Sequence, residues 1–263
     1  QQNGQSTQAH FNLMKAAQFS QSPYLKHAAW QRLCFIEVTQ YDLALEDAAL
    51  DYLKGPDNKR PISGLVSSLI LHKFKTSANT QSLVFSYSND ELFNLGFRHS
   101  INRCPKVEVA IQQVRSSLLK GVVEQQPPTP RTKRLLQTLA EQSYLNEYVW
   151  FISDVESEHI NTLINQVSQV LGKSHHDYTE LEIPLLALAC YMPFYQLPVT
   201  HQLIDIESEH WPDSLKRIKQ LTLDEACLEK QLMDQVKALK PLERVTSQQV
   251  SEQYETSPYP RWV

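Results

Sequence analysis

Apolar residues recur every three or four positions along most of this chain, which is the spacing of one face of an α-helix. The clearest example begins at Pro105 and ends near Gly121. Its apolar positions are Val107, Ala110, Ile111, Val114 and Leu118. Proline fits the first turn of a helix, where its missing N–H would be unpaired anyway, and glycine commonly ends one. The pattern therefore predicts a helix over residues 105–121.

The same periodicity predicts helices over most of the remaining sequence. Their approximate ranges are 9–19, 23–41, 42–53, 90–96, 129–152, 153–171, 181–192, 214–221, 224–239 and 246–254. Segments 65–74 and 83–87 are less clear, and Leu83, Val84 and Phe85 have the composition of a β-strand. Short connections between helices favour antiparallel neighbours. The predicted fold is all-α, an antiparallel helical bundle with solenoid-like character.

Turns and composition divide the sequence into four predicted regions. These are a helical hairpin (1–60), a helical segment (61–126), a helical domain (127–245) and a helix with an aromatic connector (246–263). The stretch from Ala28 to Pro56 has the size of one tetratricopeptide repeat, and Tyr41 and Ala44 fit its second half. No second copy is visible, so a tetratricopeptide-like hairpin competes with a generic helical hairpin at this end.

The charge balance argues against nucleic acid as a partner. The 263 residues carry 25 Lys and Arg against 29 Asp and Glu, which gives a formal net charge of -4. The densest basic cluster is the short segment Arg131-Thr132-Lys133-Arg134, whereas nucleic acid demands a concentrated positive face. The longest apolar stretch, 183–195, is too short to cross a bilayer, so no membrane partner is expected.

Glycine and cysteine usage limits the available chemistry. The 6 glycines form neither GxGxxG nor GxxxxGK[ST], and a phosphate-cradling loop needs glycine for close backbone approach. We therefore expect no nucleotide- or S-adenosylmethionine-binding fold, and no cofactor, within these residues. The cysteines are Cys34, Cys104, Cys190 and Cys227. Because they are far apart in sequence, free thiols in a reducing cytoplasm are the expected reading.

Polar clusters give weak signals of a metal site. The tetrapeptide Glu-Ser-Glu-His occurs at 156–159 and again at 207–210, but neither copy has a second histidine one helical turn away. Ser153 and Glu156 already explain the first copy as part of a helix capping box. We predict no metal site and identify no catalytic set, so whether the chain is an enzyme stays open.

The segment from Gln142 to Trp150 is the first candidate interaction site. Tyr144 and Tyr148 are four residues apart, so on a helix both rings would lie on one face. Asn146 and Glu147 sit among apolar neighbours and need partners if they are buried. One interpretation is a helix anchor in which these polar groups satisfy neighbouring backbone. The other is the lining of a groove or of a domain interface.

The C-terminal segment is the second candidate, because it is aromatic and stiff. It contains Tyr254, Pro258, Tyr259, Arg261 and Trp262. Each proline fixes its own φ, and such a segment needs a surface to lie on. It either docks on the chain's own core or connects to a domain that follows. Arg261 either bridges the neighbouring rings or pairs with a carboxylate or substrate of that domain.

Four segments occur in an order that resembles a known family. They are 114–119 (VRSSLL), 139–149 (LAEQSYLNEYV), 185–193 (LLALACYMP) and 250–262 (VSEQYETSPYPRW). This order resembles the helical region ahead of the catalytic domain in bacterial tetratricopeptide-repeat proteins with a class I S-adenosylmethionine-dependent methyltransferase domain. An NEYV helix and a QYExxPYPRW segment recur in that family. The match covers residues 90–263 and, more loosely, 28–60.

The resemblance implies the accessory half of a methyltransferase, without its catalytic machinery. This region would recruit substrate, cover the active site or mediate homodimer contacts, and its partner would be its own downstream catalytic domain, which would bind S-adenosylmethionine. A similar segment leads into bacterial protein-lysine methyltransferases, so a protein substrate is one option. The chain departs from the family in its reduced repeat array. The competing hypothesis is a stand-alone helical module that binds a protein or peptide in a groove.

Overall fold

Helices make up nearly all of the regular structure, which confirms the predicted all-α fold. The computed structural model describes residues 2–55, 61–74, 79–173, 178–233 and 235, and none of these lies in a β-strand. The α-helices are α1 (Gln2–Phe19), α2 (Pro23–Phe35), α3 (Leu43–Lys54), α4 (Ser63–Lys73), α5 (Thr80–Asn89), α6 (Glu91–Gly96), α7 (Pro105–Val123), α8 (Pro130–Leu145), α9 (Asp154–Leu171), α10 (Glu182–Ala189), α11 (Thr200–Ile204), α12 (Asp213–Lys219) and α13 (Glu225–Met233). A π-helical turn, Gln220–Asp224, joins α12 to α13.

Side-chain caps explain where many of these helices begin. A capping side chain accepts the N–H of the residue three positions on, which satisfies one of the free donors of the first turn. The residues that do so are Ser22, Asp42, Asn79, Asp90, Thr129 and Ser153. Proline occupies the first helical turn of α2, α7 and α8. The predicted starts at Pro23, Pro105 and Pro130 are confirmed.

The segment with strand-like composition is helical. Leu83, Val84 and Phe85 lie within α5, which packs against α7 and α8. Leu83 and Tyr87 are one helical turn apart and both are buried, so tertiary packing favours the helical conformation of this segment. Asn79 caps the first turn through a bond from the N–H of Ser82. Burial and capping together override the local β-propensity.

The two helices of the predicted repeat do not pack mainly against each other. Helix α2 packs against α1 and α4, whereas α3 packs against α1 and α6. The antiparallel helix pair of a tetratricopeptide repeat is therefore not confirmed.

The apolar core centres on α7, α8 and α10. Helix α10 is buried from Leu185 to Ala189, and it packs against α7, α8 and α9. The buried apolar side chains form one cluster that reaches from Met14 to Leu223. The four predicted region boundaries stay predictions. This packing brings the connection between α8 and α9 beside α7 and the end of α10.

Candidate functional site: the loop after α8

Four predicted site residues lie where α8 ends. Tyr144 is on its last turn, and Asn146, Glu147 and Tyr148 follow in the segment 146–153, which we call the aromatic loop. These four residues are neighbours in the sequence, and their role as an interaction site stays a prediction. The prediction that Tyr144 and Tyr148 share one helix face is wrong, because the helix ends before Tyr148.

Hydrogen bonds from the loop back onto α8 fix this ending. The N–H of Glu147 donates to the carbonyl of Tyr144 at 3.1 Å, and the N–H of Tyr148 donates to the carbonyl of Ser143 at 2.9 Å. These two bonds form a Schellman motif, which usually carries glycine at its left-handed position. Here Glu147 (φ 58°) and Tyr148 (φ 59°) both adopt left-handed conformations. Left-handed backbone conformations are unfavourable for residues other than glycine. Two such residues in succession therefore indicate that surrounding contacts hold this segment in place.

The next residues alternate between solvent and the interior. Val149 is 77% exposed and Phe151 is 76% exposed, whereas Trp150 between them is 5% exposed. Val155, in the first turn of α9, is a further exposed apolar residue. Single exposed apolar side chains are ordinary, but several on one short segment indicate a contact surface. We call Val149, Phe151 and Val155 the apolar set.

A buried arginine holds the aromatic loop from the core side. Arg115 on α7 is 3% exposed. Its guanidinium donates to the carbonyl of Phe151 at 2.7 Å and to the carbonyl of Cys190 at 3.4 Å. The guanidinium carbon lies 4.1 Å from the ring centre of Tyr191 and 5.5 Å from that of Trp150. A guanidinium removed from water needs such partners, and here they tie the loop to α7 and α10.

Glu156 supplies the negative charge opposite this arginine. Its Oε1 lies 3.5 Å from Nη2 of Arg115 and accepts the hydroxyl of Tyr191 at 2.8 Å. Its Oε2 accepts the N–H of Ser153 at 3.0 Å and the hydroxyl of Ser153 at 2.9 Å. The predicted capping box is confirmed, and the carboxylate that closes it also pairs with the arginine. We call Arg115, Glu156 and Tyr191 the arginine cluster.

Burial and pairing shift the pKa values in and beside the cluster. Burial by itself would raise the pKa of Glu156, but the bonds from Ser153 and Tyr191 and the charge of Arg115 outweigh it and lower the pKa. Burial also raises the pKa of the Tyr191 hydroxyl and raises that of the Cys190 thiol to about 12. Neither Tyr191 nor Cys190 is ionised at neutral pH. The arginine cluster therefore positions a loop, and the neighbouring Cys190 is a neutral thiol rather than a thiolate nucleophile.

The lowered pKa of Glu156 predicts a specific sensitivity to acid. Between its folded value and its ordinary value of 4.5, the unfolded chain binds more protons, so this group's contribution to stability falls as pH falls. We expect Glu156→Gln to give a shallower loss of unfolding free energy below pH 4.5 than the wild type. Urea unfolding at a series of pH values measures this slope.

The control for this experiment is Glu158→Gln, which removes an exposed carboxylate two residues further along α9. Asp90 shifts in the opposite direction, because burial raises its pKa. The quantity to compare between variants is therefore the slope of unfolding free energy against pH below pH 4.5, rather than the whole pH profile. Equal slopes for Glu156→Gln and the wild type would contradict the assigned role of Glu156.

The residues of the arginine cluster were not predicted as site residues. A signal for Arg115 was present, because it continues the buried stripe of Ile111 and Leu118 at helical spacing. An arginine at such a position must be paired inside the protein. The sequence explains Glu156 by helix capping alone. Tyr191 lies in an apolar stretch in which no local pattern indicates a polar contact. The contacts among Arg115, Glu156 and Tyr191 depend on how the helices pack, and local sequence does not predict them.

The other candidate residues lie elsewhere. Tyr254, Pro258, Tyr259, Arg261 and Trp262 lie outside the described residues. The second Glu-Ser-Glu-His copy places ligand atoms of Glu207, Glu209 and His210 within 4.8 Å of one another, but all three residues are exposed. His210 stacks on Tyr178 with ring centres 5.2 Å apart. Exposed acidic groups often lie this close without binding a metal, so this cluster carries no assignment.

A separate groove lies between α5, the end of α7 and the segment before α8. Its volume is about 780 Å³. Apolar lining comes from Val84, Phe85, Pro127 and Pro128, and Phe85 is 67% exposed. We call this the α5–α7 groove. It is the feature that the peptide-binding hypothesis requires.

Comparisons with known proteins give no match: no family model, no curated protein and no solved structure matches this chain. Among the described residues, no helix has both the length and the apolar character needed to cross a membrane.

Proposed function

We propose that this chain is a non-catalytic helical region of an S-adenosylmethionine-dependent methyltransferase, and that the aromatic loop is where its catalytic domain docks. The observation that carries the proposal is the construction of this loop. Phe151 and Val149 face solvent while a buried arginine and two left-handed residues fix the backbone that presents them. A preorganised apolar surface loses little conformational entropy on binding, which favours docking.

The proposal also draws on the family resemblance. Three of the four resembling segments supply the groups around the aromatic loop: Arg115 from the first, Ser143 from the second and Cys190 with Tyr191 from the third. Ser143 and Arg115 both donate to the carbonyl of Cys190, at 2.9 Å and 3.4 Å. In this account the shared segments are those that build the docking loop. The protein acts in the cytoplasm, with a protein as one candidate substrate.

The first test is S-adenosylmethionine binding by the protein isolated from its own cell. We expect that protein to bind S-adenosylmethionine at one site, whereas the 263-residue chain produced alone does not. Calorimetric titration of both preparations measures this directly. A native preparation that binds no S-adenosylmethionine would remove the methyltransferase assignment.

A surface variant tests the docking loop itself. Phe151→Ser removes an aromatic ring from the apolar set, and burying such a ring contributes roughly 1.5–3 kcal/mol. We expect the affinity between the 263-residue chain and the separately produced S-adenosylmethionine-binding domain to fall at least tenfold. Phe85→Ser is the matched control, because Phe85 is similarly exposed and lies in the α5–α7 groove. Equal effects of the two variants would contradict the assignment of the loop.

The second candidate function is a stand-alone module that binds an extended peptide in the α5–α7 groove. The groove volume of about 780 Å³ and its proline and phenylalanine lining favour this reading. Under it, Phe85→Ser abolishes peptide binding in a peptide-library screen and Phe151→Ser does not. The two variants therefore separate the two functions.

A further inference from the structure

A second cavity, independent of the aromatic loop, collects cationic side chains. Its volume is about 450 Å³, and it lies beside the start of α8. Lys54 comes from the end of α3, Arg98 from the turn after α6, and Lys133 and Arg134 from α8. Glu91 is the one carboxylate that lines it among the residues that the structure describes. We call it the basic cavity.

Among the described residues, the cations that line this cavity outnumber their carboxylate partners. Lys54 pairs with Glu91 at 2.9 Å, in a half-exposed bridge that contributes little to stability. Arg98 pairs with the buried Glu141 at 2.8 Å, and Lys133 pairs with Glu182 at 2.6 Å.

One further cation that lines the cavity remains after these three pairs. In the part of the chain that the structure describes, Arg134 has no carboxylate within ion-pair distance. A second arginine, Arg217, also reaches Glu141 at 3.4 Å. Among the described residues, four cations line the cavity and three carboxylates pair with them, one of which Arg217 also contacts.

The position of these cations on α8 is unfavourable for the free protein. The N-terminus of a helix carries a partial positive charge, so acidic residues normally occupy the first turn. The first turn of α8 has no acidic residue, and it is followed directly by Arg134. The densest basic cluster of the sequence therefore lies where the helix dipole opposes it. An anion in the basic cavity would relieve this repulsion.

We propose that the basic cavity binds the phosphate group of a small phosphorylated molecule. Arginine presents forked donors that match phosphate oxygens, and lysine adds point charge. Leu95 and Pro130 give the cavity an apolar wall, and Gln137 adds a neutral polar group. The volume lies within the range of roughly 300–1,000 Å³ that is typical of small-molecule sites, so the ligand has an organic part. Recognition is by side chains, which is consistent with the absence of a glycine-rich phosphate loop.

The first experiment compares two probes by calorimetric titration at constant ionic strength. These are inorganic phosphate and glycerol 3-phosphate, each added to the 263-residue chain. We expect both to bind saturably, with glycerol 3-phosphate binding more tightly because its organic part contacts the apolar wall. Absence of saturable binding for both probes would overturn the proposal. Equal or tighter binding of inorganic phosphate would overturn the assignment to a phosphorylated organic molecule.

The second experiment uses two matched variants. Arg134→Gln removes the cation that has no carboxylate partner among the described residues, and it is expected to weaken glycerol 3-phosphate binding about tenfold. Arg131→Gln removes the same charge three residues away, from a side chain that lines the α5–α7 groove instead, and is expected to change binding by less than about twofold. Thermal unfolding confirms that both variants fold. Equal weakening by both would show a general charge effect and contradict a specific site.

Discussion

Replacing Arg115 with methionine is expected to lower the free energy of unfolding by about 3–5 kcal/mol. The substitution leaves Glu156 and Tyr191 buried without the opposing charge, and the carbonyls of Phe151 and Cys190 lose their guanidinium donor. A buried ion pair contributes little as a pair, but removing one partner leaves the cost of burying the other. Urea unfolding followed by circular dichroism measures the loss.

The control for this variant lies on the same helix. Lys120→Met removes a cation whose pair with Glu124, at 3.7 Å, is exposed on both sides. Its effect should stay within about 1 kcal/mol. The double variant Arg115→Met/Glu156→Gln should cost less than the sum of its single changes, because the two residues share one network. Additive effects, or a near-neutral Arg115→Met, would show that the arginine cluster does not hold the loop.

The second large effect is expected from Gly64→Ala. Gly64 lies in the first turn of α4 and is buried against the end of α2. A Cβ atom there would lie 2.5 Å from the carbonyl oxygen of Ile36 and 2.8 Å from that of Cys34. Backbone atoms cannot rotate aside, so α2 and α4 must separate. We expect a loss of about 3 kcal/mol in the free energy of unfolding, measured by urea denaturation.

Gly121→Ala is the matched control for that substitution. Gly121 lies inside α7, and an added Cβ would meet the side-chain oxygen of Gln126 at 3.1 Å, which is the movable end of a flexible side chain. Alanine favours a helix over glycine by about 1 kcal/mol, so this variant should be neutral or more stable than the wild type. Similar losses for both variants would contradict the close approach of α2 and α4.

Local sequence signals predicted most of the helices well. The starts at Pro23, Pro105 and Pro130 rest on backbone chemistry that acts within one turn. The capping box of α9 could be predicted for the same reason. The side chain of Ser153 accepts the N–H of Glu156 and the side chain of Glu156 accepts the N–H of Ser153, so the motif needs no distant residue. Such features do not depend on how the helices pack.

The end of α8 could not be predicted in this way. Apolar residues continue at helical spacing beyond it, through Tyr148 and Ile152, and no glycine marks the stop. The bonds from Glu147 and Tyr148 back onto α8 close the helix, and Arg115, which is distant in sequence, holds the loop beyond it through the carbonyl of Phe151. The sequence placed Tyr144, Asn146, Glu147 and Tyr148 on a helix, whereas the shape of this segment and the cluster that holds it depend on tertiary contacts.

The most direct test of the docking proposal is a photo-crosslink from position 151. Phe151 is exposed, so p-benzoylphenylalanine in its place should be tolerated. In the protein produced in its own cell, irradiation is predicted to join position 151 to an S-adenosylmethionine-binding domain, while the same label in place of Phe85 does not reach that domain. A crosslink from position 85 and none from position 151, or no crosslink to such a domain from either, would contradict the account.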